Sequence, residues 1–431
     1  MLLAAFWLGL VATVLPWWLH TSPDSLRGTG PLLTGAGRVT GLVAGYALIV
    51  QVLLMSRFGW LDRWIGARRL VRWHRELGGF LVVTVLAHAA LITVGYAWTD
   101  HRPILGETWT VLTTYEDMIS AFVAAGVLAG IGLLAVNGLR RALPYEVWYY
   151  LHASAYLVLL LGYGHQFADG HDLADAGPAR YYWAGLYVLV IAAVAWSRVL
   201  VPLWYNLRHG LRVIRVVEES PDTVSVYVGG RRLDVLGAKA GQFFRWRFLA
   251  PRCWWQSHPF SLSAAPNGQW LRLTVKAVGD HTAGLRRLQP GTRVVVEGPA
   301  GEFTADRRTR TRALLIAAGS GIAPIRALLE ELPPQAVVIY RASRPEDLVF
   351  RRELDWLAQA RGADVWYVVG SRHDPGPRRL FTPEGLRELV PDVAQRDVYL
   401  CGPPGLVESA VTLLRRLRLP RKQIHLDPFE F

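Results

Sequence analysis

Cysteine is nearly missing: Cys253 and Cys401 are the two in 431 residues. Two thiols build no disulfide framework and cannot supply the four thiolates of an iron–sulfur cluster, so any electron transfer in this chain needs another carrier. Lysine is scarce as well, and nearly all the positive charge is arginine. The formal net charge of +13 comes without any motif of a nucleic-acid reader, which excludes that partner. Much of the excess lies between apolar segments and at the end of the last one, where anionic lipid and the insertion rule account for it. The first apolar stretch lacks a basic start and an obvious small-residue cleavage site, so it reads as a retained helix and not as a removable signal.

What the chain does contain is long apolar runs, concentrated in its first half. Six segments, at roughly 1–19, 36–55, 74–97, 118–137, 148–166 and 181–202, read as spans of a multi-pass membrane protein with the lipid bilayer as partner. Arginines set the expected orientation. Arg57, Arg63, Arg68, Arg69, Arg72 and Arg75 lie between the second and third spans, and Arg140 and Arg141 between the fourth and fifth. The alternate loops are poor in arginine and carry Asp100, Glu107, Asp169, Asp172 and Asp175, so both termini are expected in the cytoplasm.

Four histidines stand inside these runs. His74 and His88 are fourteen residues apart, and His152 and His165 thirteen. At 1.5 Å per residue each pair spans about 20 Å along a helix, one residue near each face of a hydrocarbon core about 30 Å thick. A single histidine in an apolar helix is ordinarily a hydrogen-bonded core residue; two near-equal pairs are not explained by packing, because intramembrane ionisable groups are costly. Two such helices side by side offer two bis-imidazole sites, the layout for two stacked haems. Fourteen residues return to within about 40° of the starting face, whereas thirteen leave His165 about 140° from His152. Gly162 and Gly164 precede His165, where a local distortion could turn its ring inward.

After Arg208 the pattern changes to short strands and turns. Leu211 to Val217, Thr223 to Val228, Gln242 to Phe248, Leu271 to Val278 and Arg293 to Glu297 read as a small antiparallel β-barrel. From about Arg312 strand and helix alternate, with parallel strands expected at Ala313 to Ala318, Ala336 to Tyr340, Val365 to Val369 and Val398 to Cys401. The expected domains are 1–205, 206–308 and 309–431. The barrel carries His258-Pro259-Phe260-Ser261-Leu262-Ser263 and then Gly279-Asp280-His281-Thr282. An aromatic beside a serine gives a flat face and a hydroxyl for an isoalloxazine ring, and Thr282 at a helix start presents N–H groups to a pyrophosphate. In the last domain a strand runs into Gly319-Ser320-Gly321-Ile322-Ala323-Pro324, whose small residues let phosphate approach the backbone. A later strand closes with Cys401-Gly402-Pro403-Pro404, and the chain ends Pro428-Phe429-Glu430-Phe431.

Taken together, the two histidine pairs, the His-Pro-Phe-Ser and Gly-Asp-His-Thr motifs, Glu297-Gly298-Pro299, Gly-Ser-Gly-Ile-Ala-Pro, Cys-Gly-Pro and the aromatic end resemble the NADPH oxidase and ferric reductase flavocytochromes, joined to a ferredoxin–NADP reductase type dehydrogenase. The resemblance implies a six-helix transmembrane haem domain, an antiparallel β-barrel FAD domain and an α/β parallel-sheet NAD(P) domain. It implies that His74 pairs with His152 around an inner haem b and His88 with His165 around an outer one. It also implies that His258, Phe260 and Ser261 contact FAD, that Cys401 lies near the nicotinamide, and that Phe431 stacks on the flavin until the nicotinamide displaces it. Most such reductases have Arg where His258 stands; the oxidase branch also has His.

Coenzyme choice rests on arginines. Ser371-Arg372 follows the third strand of the last domain, where NADP-dependent relatives keep a Ser-Arg pair, and Arg341, Arg344 and Arg379 lie at other loop ends, which favours NADPH over NADH. Electrons would leave from the outer haem to a small acceptor, a ferric chelate or oxygen. Oxidases of the family carry a further His one turn after the outer ligand, where this chain has Ile92, which weakens the superoxide reading. Arg38 near the outer end of the second span could polarise oxygen, bind a propionate or merely snorkel, and Arg72 and Arg75 could pair with inner propionates or only mark the cytoplasmic boundary. His101 and His171 read as solvated outer-loop residues. The competing reading is a flavin reductase tethered by a haem-free anchor or sensing module.

Overall fold

The computed structural model describes residues 2–56, 58, 61, 64–136, 139, 142–168, 173, 177–251, 253–371 and 373–428. Arg57, Arg63, Arg140, Arg141, Asp169, His171, Asp172, Asp175, Arg372 and Phe431 lie outside the described residues. The chain divides into two compact units, Met1–Val201 and Pro202–Phe431.

The first unit is helical: α1 Leu2–His20, α2 Thr29–Leu54, α3 Ala67–Thr99, α4 Ile104–Thr114, α5 Met118–Leu134, α6 Tyr145–Ala153, α7 Ala155–Ala168 and α8 Pro178–Val194, followed by a π turn at Ala195–Leu200; α9 Val201–His209 opens the second unit. Among the described residues four helices are long and apolar enough to cross a membrane, at Leu3–His20, Thr29–Leu54, Arg69–Thr99 and Pro178–His209. The pair α4 and α5, meeting at 117°, would add a fifth. Six unbroken spans are therefore not what is found. The stretch expected as an outer loop is partly helix α4, and its Glu107 is buried at 1% exposure, not solvated. The fifth expected span is divided at Ser154, whose hydroxyl donates to the Leu151 carbonyl at 2.6 Å, a local bond that competes with helix continuation.

Helices α2 and α3 pack backbone to backbone because α2 presents Gly30, Gly37 and Gly41 to α3, a small-residue seam of the kind found in intramembrane helix pairs, while Gly45 faces α8. A Cβ on Gly37 would lie 2.8 Å from Ile92 Cδ1, and one on Gly45 2.9 Å from the Trp183 ring. Ile92 thus fills the gap left by a missing side chain.

The second unit contains two three-stranded antiparallel sheets and one five-stranded parallel sheet. The first sheet orders β1 Arg212–Ser220, β2 Thr223–Gly229 and β5 Trp270–Lys276; the second orders β4 His258–Ser261, β3 Phe243–Phe248 and β6 Val294–Ala300. Isolated bridges Arg212↔Arg293 and Leu262↔Leu273 link them. Strand β3 alternates, with Phe244, Trp246 and Phe248 fully buried and the residues between them half-exposed, as the two-residue period requires. The five expected strands are present, and the His-Pro-Phe-Ser motif is itself a sixth, short strand, too brief for its periodicity to show.

The parallel sheet has the order β11-β10-β7-β8-β9, with β7 Arg312–Ala318, β8 Val337–Ala342, β9 Asp364–Val369, β10 Arg396–Gly402 and β11 Ile424–Pro428. Helix α10, Asp280–Gly284, belongs to the antiparallel part; α11 Ile322–Glu331, α12 Arg351–Arg361, α13 Pro375–Leu380, α14 Pro383–Leu389 and α15 Pro404–Arg416 accompany the parallel sheet. Continuous apolar runs such as Ala313 to Ala318 suit strands covered on both faces. Strand β11 was not expected. It is anchored where buried Asp397 accepts from the backbone N–H of Thr309 at 2.6 Å and of Arg310, from the Thr309 hydroxyl at 3.1 Å, and lies 3.1 Å from His425 Nε2 on β11. Asp397→Ala orphans those donors and is expected to cost about 2–3 kcal/mol, read as a lower denaturation midpoint with the same m-value.

Candidate functional site

In the first unit the structure brings His74 against His152. On α3, His74 Nδ1 lies 3.4 Å from the Gln51 carbonyl of α2, while Gln51 Nε2 donates back to the His74 carbonyl at 2.8 Å. One level along, His88 Nδ1 lies 2.7 Å from the Gly37 carbonyl. Both rings of α3 are thus held by a backbone carbonyl at Nδ1, the arrangement that fixes the tautomer of a metal-ligating imidazole and leaves Nε2 for the metal. The ring of His88 fits only because residue 41 is glycine: a Cβ there would be 2.7 Å from both Nδ1 and Cε1.

Across from them stand α6 and α7. The centroids of the His74 and His152 rings are 5.8 Å apart with planes at 79°, and Trp148 stacks on His152 at 5.1 Å. With a metal–nitrogen bond of about 2.0 Å, His74 and His152 at this separation would be able to hold one iron between them. The break at Ser154 falls between His152 and His165, so the thirteen-residue phase of an unbroken helix does not apply. Gly164, beside His165, is where Asp117 at the start of α5 packs, and a Cβ there would collide with that carboxylate. Arg69, Arg72 and Arg75 are exposed on the first turns of α3. These donor sets fit bis-imidazole iron, and no group of three or more His, Cys, Asp or Glu able to hold a metal occurs among the described residues.

In the second unit, His258 and Phe260 are half-buried on β4, Pro259 is exposed and Ser261 is buried. The Phe260 carbonyl accepts from Trp246 Nε1 at 2.9 Å, which fixes the strand. Facing this motif, the His281 ring lies against His258 with centroids 4.1 Å apart and planes tilted by 37°. His281 was not singled out from the sequence; that both motifs carry a histidine was the available signal. Burial, then the neighbouring His258, pushes its pKa down to about 4. Gly279 and Asp280 are exposed at the start of α10, with Gly279 as its cap. Thr282 sits in the third helical position and not at the start, its hydroxyl accepting from the N–H of Val278 and Gly279 at 2.9 and 3.0 Å. Ser263 is fully buried, and its hydroxyl is bonded by Arg272 and Thr274 at 3.1 and 2.7 Å, so it faces the protein interior.

Between the antiparallel and parallel sheets lies a cleft of about 190 Å³, lined on one wall by Asp222, Thr223, Thr274 and Lys276 and on the other by Gly319, Ser320, Arg341, Asp347 and Pro403. Gly319 has φ +55°, a left-handed turn that favours glycine and ends β7. Gly321 lets the start of α11 touch β10, since a Cβ would overlap the Cys401 carbonyl. Pro324 occupies the third position of α11, as its fixed φ allows. Gly402 is buried at the end of β10 with exposed Pro403 after it. Cys401 is fully buried, its thiol on the Asp427 carbonyl at 3.2 Å, and it is absent from the cleft lining; burial raises its pKa. Arg341 Nη2 lies 3.4 Å from the Gly370 carbonyl, and Ser371 is exposed just after β9. Arg344 and Arg379 are already paired, with Asp347 at 3.3 Å and Glu388 at 2.7 Å, which makes them poor candidates for a phosphate.

Comparison with known proteins gives three family matches: ferric reductase like transmembrane component at residues 40–163, FAD-binding domain at 210–304 and oxidoreductase NAD-binding domain at 315–412. The ferredoxin–NADP reductase B of Sorangium cellulosum is 30% identical over 189 residues, 40% of this chain and 77% of that protein. The flavohemoprotein of Vibrio cholerae is 32% identical over 184 residues, 39% of this chain and 45% of that one, and that of Oceanobacillus iheyensis 25% over 248, 52% and 60%. The chain thus spans about half the length of the flavohemoproteins it matches. Its second unit thus belongs with the ferredoxin–NADP reductase type of FAD- and NAD-binding oxidoreductase domains, and their union with a ferric-reductase-like transmembrane component matches the architecture of the ferric reductase and NADPH oxidase flavocytochromes.

Proposed function

We propose that the chain moves electrons outward across a membrane, from cytoplasmic NADPH through FAD and two stacked haems b to a small acceptor, a ferric chelate or oxygen. The observation that carries this reading is the facing pair His74 and His152, 5.8 Å apart, with both α3 histidines tied at Nδ1 to carbonyls of α2. When bound, FAD supplies two-electron hydride acceptance and bis-His haem supplies one-electron relay. His74 and His152 would hold the inner haem, His88 and His165 the outer. The His258–Phe260 face and the Thr282-capped turn would hold FAD, and Gly319, Ser320 and the start of α11 would receive the dinucleotide phosphates. The arginines flanking α3 support an inner location for that end and for both termini. With the inside negative, the potential favours outward flow by about 2.3 kcal/mol per 100 mV for each electron.

Arg341, the arginine that lines the cleft among the described residues, would meet a 2′-phosphate. Arg341→Ala is expected to raise KM for NADPH about tenfold, the loss of roughly one charge-assisted bond, and that for NADH much less; equal changes for both would remove the phosphate role. The function itself is tested in vesicles loaded with ferricyanide and given NADPH outside, the full chain inserted with its dehydrogenase facing out. Ferricyanide reduction inside supports transmembrane transfer, and NADPH consumption without it supports the tethered-reductase reading. The acceptor is separated by comparing superoxide-dismutase-sensitive cytochrome c reduction with anaerobic formation of ferrozine-detected Fe(II).

A further inference from the structure

Arg272 on β5 is among the largest fully buried side chains. Its guanidinium makes a two-pronged contact with Glu353 of α12, at 2.8 and 3.0 Å, and holds the Ser263 carbonyl at 2.7 Å. Arg326 of α11 reaches the same carboxylate at 2.8 Å and also pairs with Glu330. Glu330 in turn accepts from the Ala265 N–H at 3.1 Å. Two cations and two anions thus join the antiparallel sheets to two helices of the parallel sheet, with no net charge. The Phe350 ring lies 4.6 Å from the Arg272 guanidinium carbon.

This cluster sits directly behind the nucleotide cleft. Thr274, two residues along β5 and bonded to Ser263, lines one wall; Val349, next to Phe350, also lines the cleft. A buried ion pair adds little net stability because desolvation opposes its attraction, whereas a forked Arg–carboxylate contact fixes distance and angle. The expected benefit is geometric.

We propose that Arg272, Arg326 and Glu353 form a clasp that sets the spacing between the two walls of the cleft, and so act as positioning residues for hydride transfer. The proposal rests on the nucleotide and flavin reading above. Misplacement of reacting atoms by about 1 Å costs on the order of 100-fold in rate, so a loosened clasp shows in transfer between the walls before it shows in binding to one wall.

The test uses Arg272→Met with Glu353→Met in the full chain, a double change that leaves Arg326 paired with Glu330. Flavin content, inhibition by 2′,5′-ADP, anaerobic flavin reduction by NADPH or NADH, and the distance between spin labels at Val278→Cys and Arg344→Cys are measured. Expected are unchanged flavin content and 2′,5′-ADP inhibition, a tenfold or greater fall in the reduction rate, and a broadened label distance. Arg272→Lys, which keeps the charge and loses the fork, should behave like the double variant. Unchanged rate and an unchanged distance distribution would overturn the clasp. If the wild type is not reduced by either nucleotide the functional reading fails, and the label distance still decides the clasp.

Discussion

His88→Ala is expected to halve the haem content of the purified chain and to abolish transmembrane ferricyanide reduction, while flavin reduction by NADPH proceeds at the wild-type rate. The basis is separation: His88 lies in α3, held at Nδ1 by Gly37, whereas His74 and His152 form a pair of their own one level away. Two levels about 20 Å apart along one helix load independently, so one iron is lost and the other stays. Gly41→Ala should reproduce the effect without touching a ligand, because its Cβ would be 2.7 Å from the His88 ring and drive the imidazole off the Gly37 carbonyl. The measurement is the reduced α-band per flavin in both variants. Full haem content in His88→Ala would remove that residue from the ligand set.

Gly321→Ala separates the nucleotide site from the rest in the opposite direction. Its Cβ would overlap the backbone carbonyl of Cys401, in a region where Ile322, Ala323 and Ile325 leave no space to retreat. Overpacking of this kind costs about 1–3 kcal/mol, and relief requires the start of α11 to move away from β10. Expected are a KM for NADPH raised more than tenfold and a lower melting temperature of the dehydrogenase part, with the haem spectrum unchanged. An unaltered KM would show that the first turn of α11 does not contact the dinucleotide.

Much of this was legible in the sequence because it depends on local pattern. The strands of the antiparallel sheets followed from alternation, and the parallel strands from short apolar runs, three of which end at Gly319, Gly370 and Gly402. Helix breaks were not legible: Ser154 ends α6 by a hydroxyl bond to its own chain, and a hydropathy window averages across it. That same break removes the thirteen-residue misfit between His152 and His165. Missed as well was the glycine seam of α2, where Gly37 and Gly41 stand four residues apart; its meaning needs the facing residues Ile92 and His88. Ser263 and Cys401 were assigned by motif to the cofactor surface, yet both point into packed interior, one bonded to Arg272 and the other to the Asp427 carbonyl. Motif membership places a residue near a site, and only tertiary packing decides which way its side chain turns.

The most direct measurement is the haem-to-flavin ratio of the full-length chain purified under haem-replete conditions, read by pyridine haemochromogen and flavin absorbance. Imidazole pairs at both levels of α3 predict two haems b per FAD with the sharp reduced α-band of six-coordinate iron. A spectrum of flavin alone would contradict it.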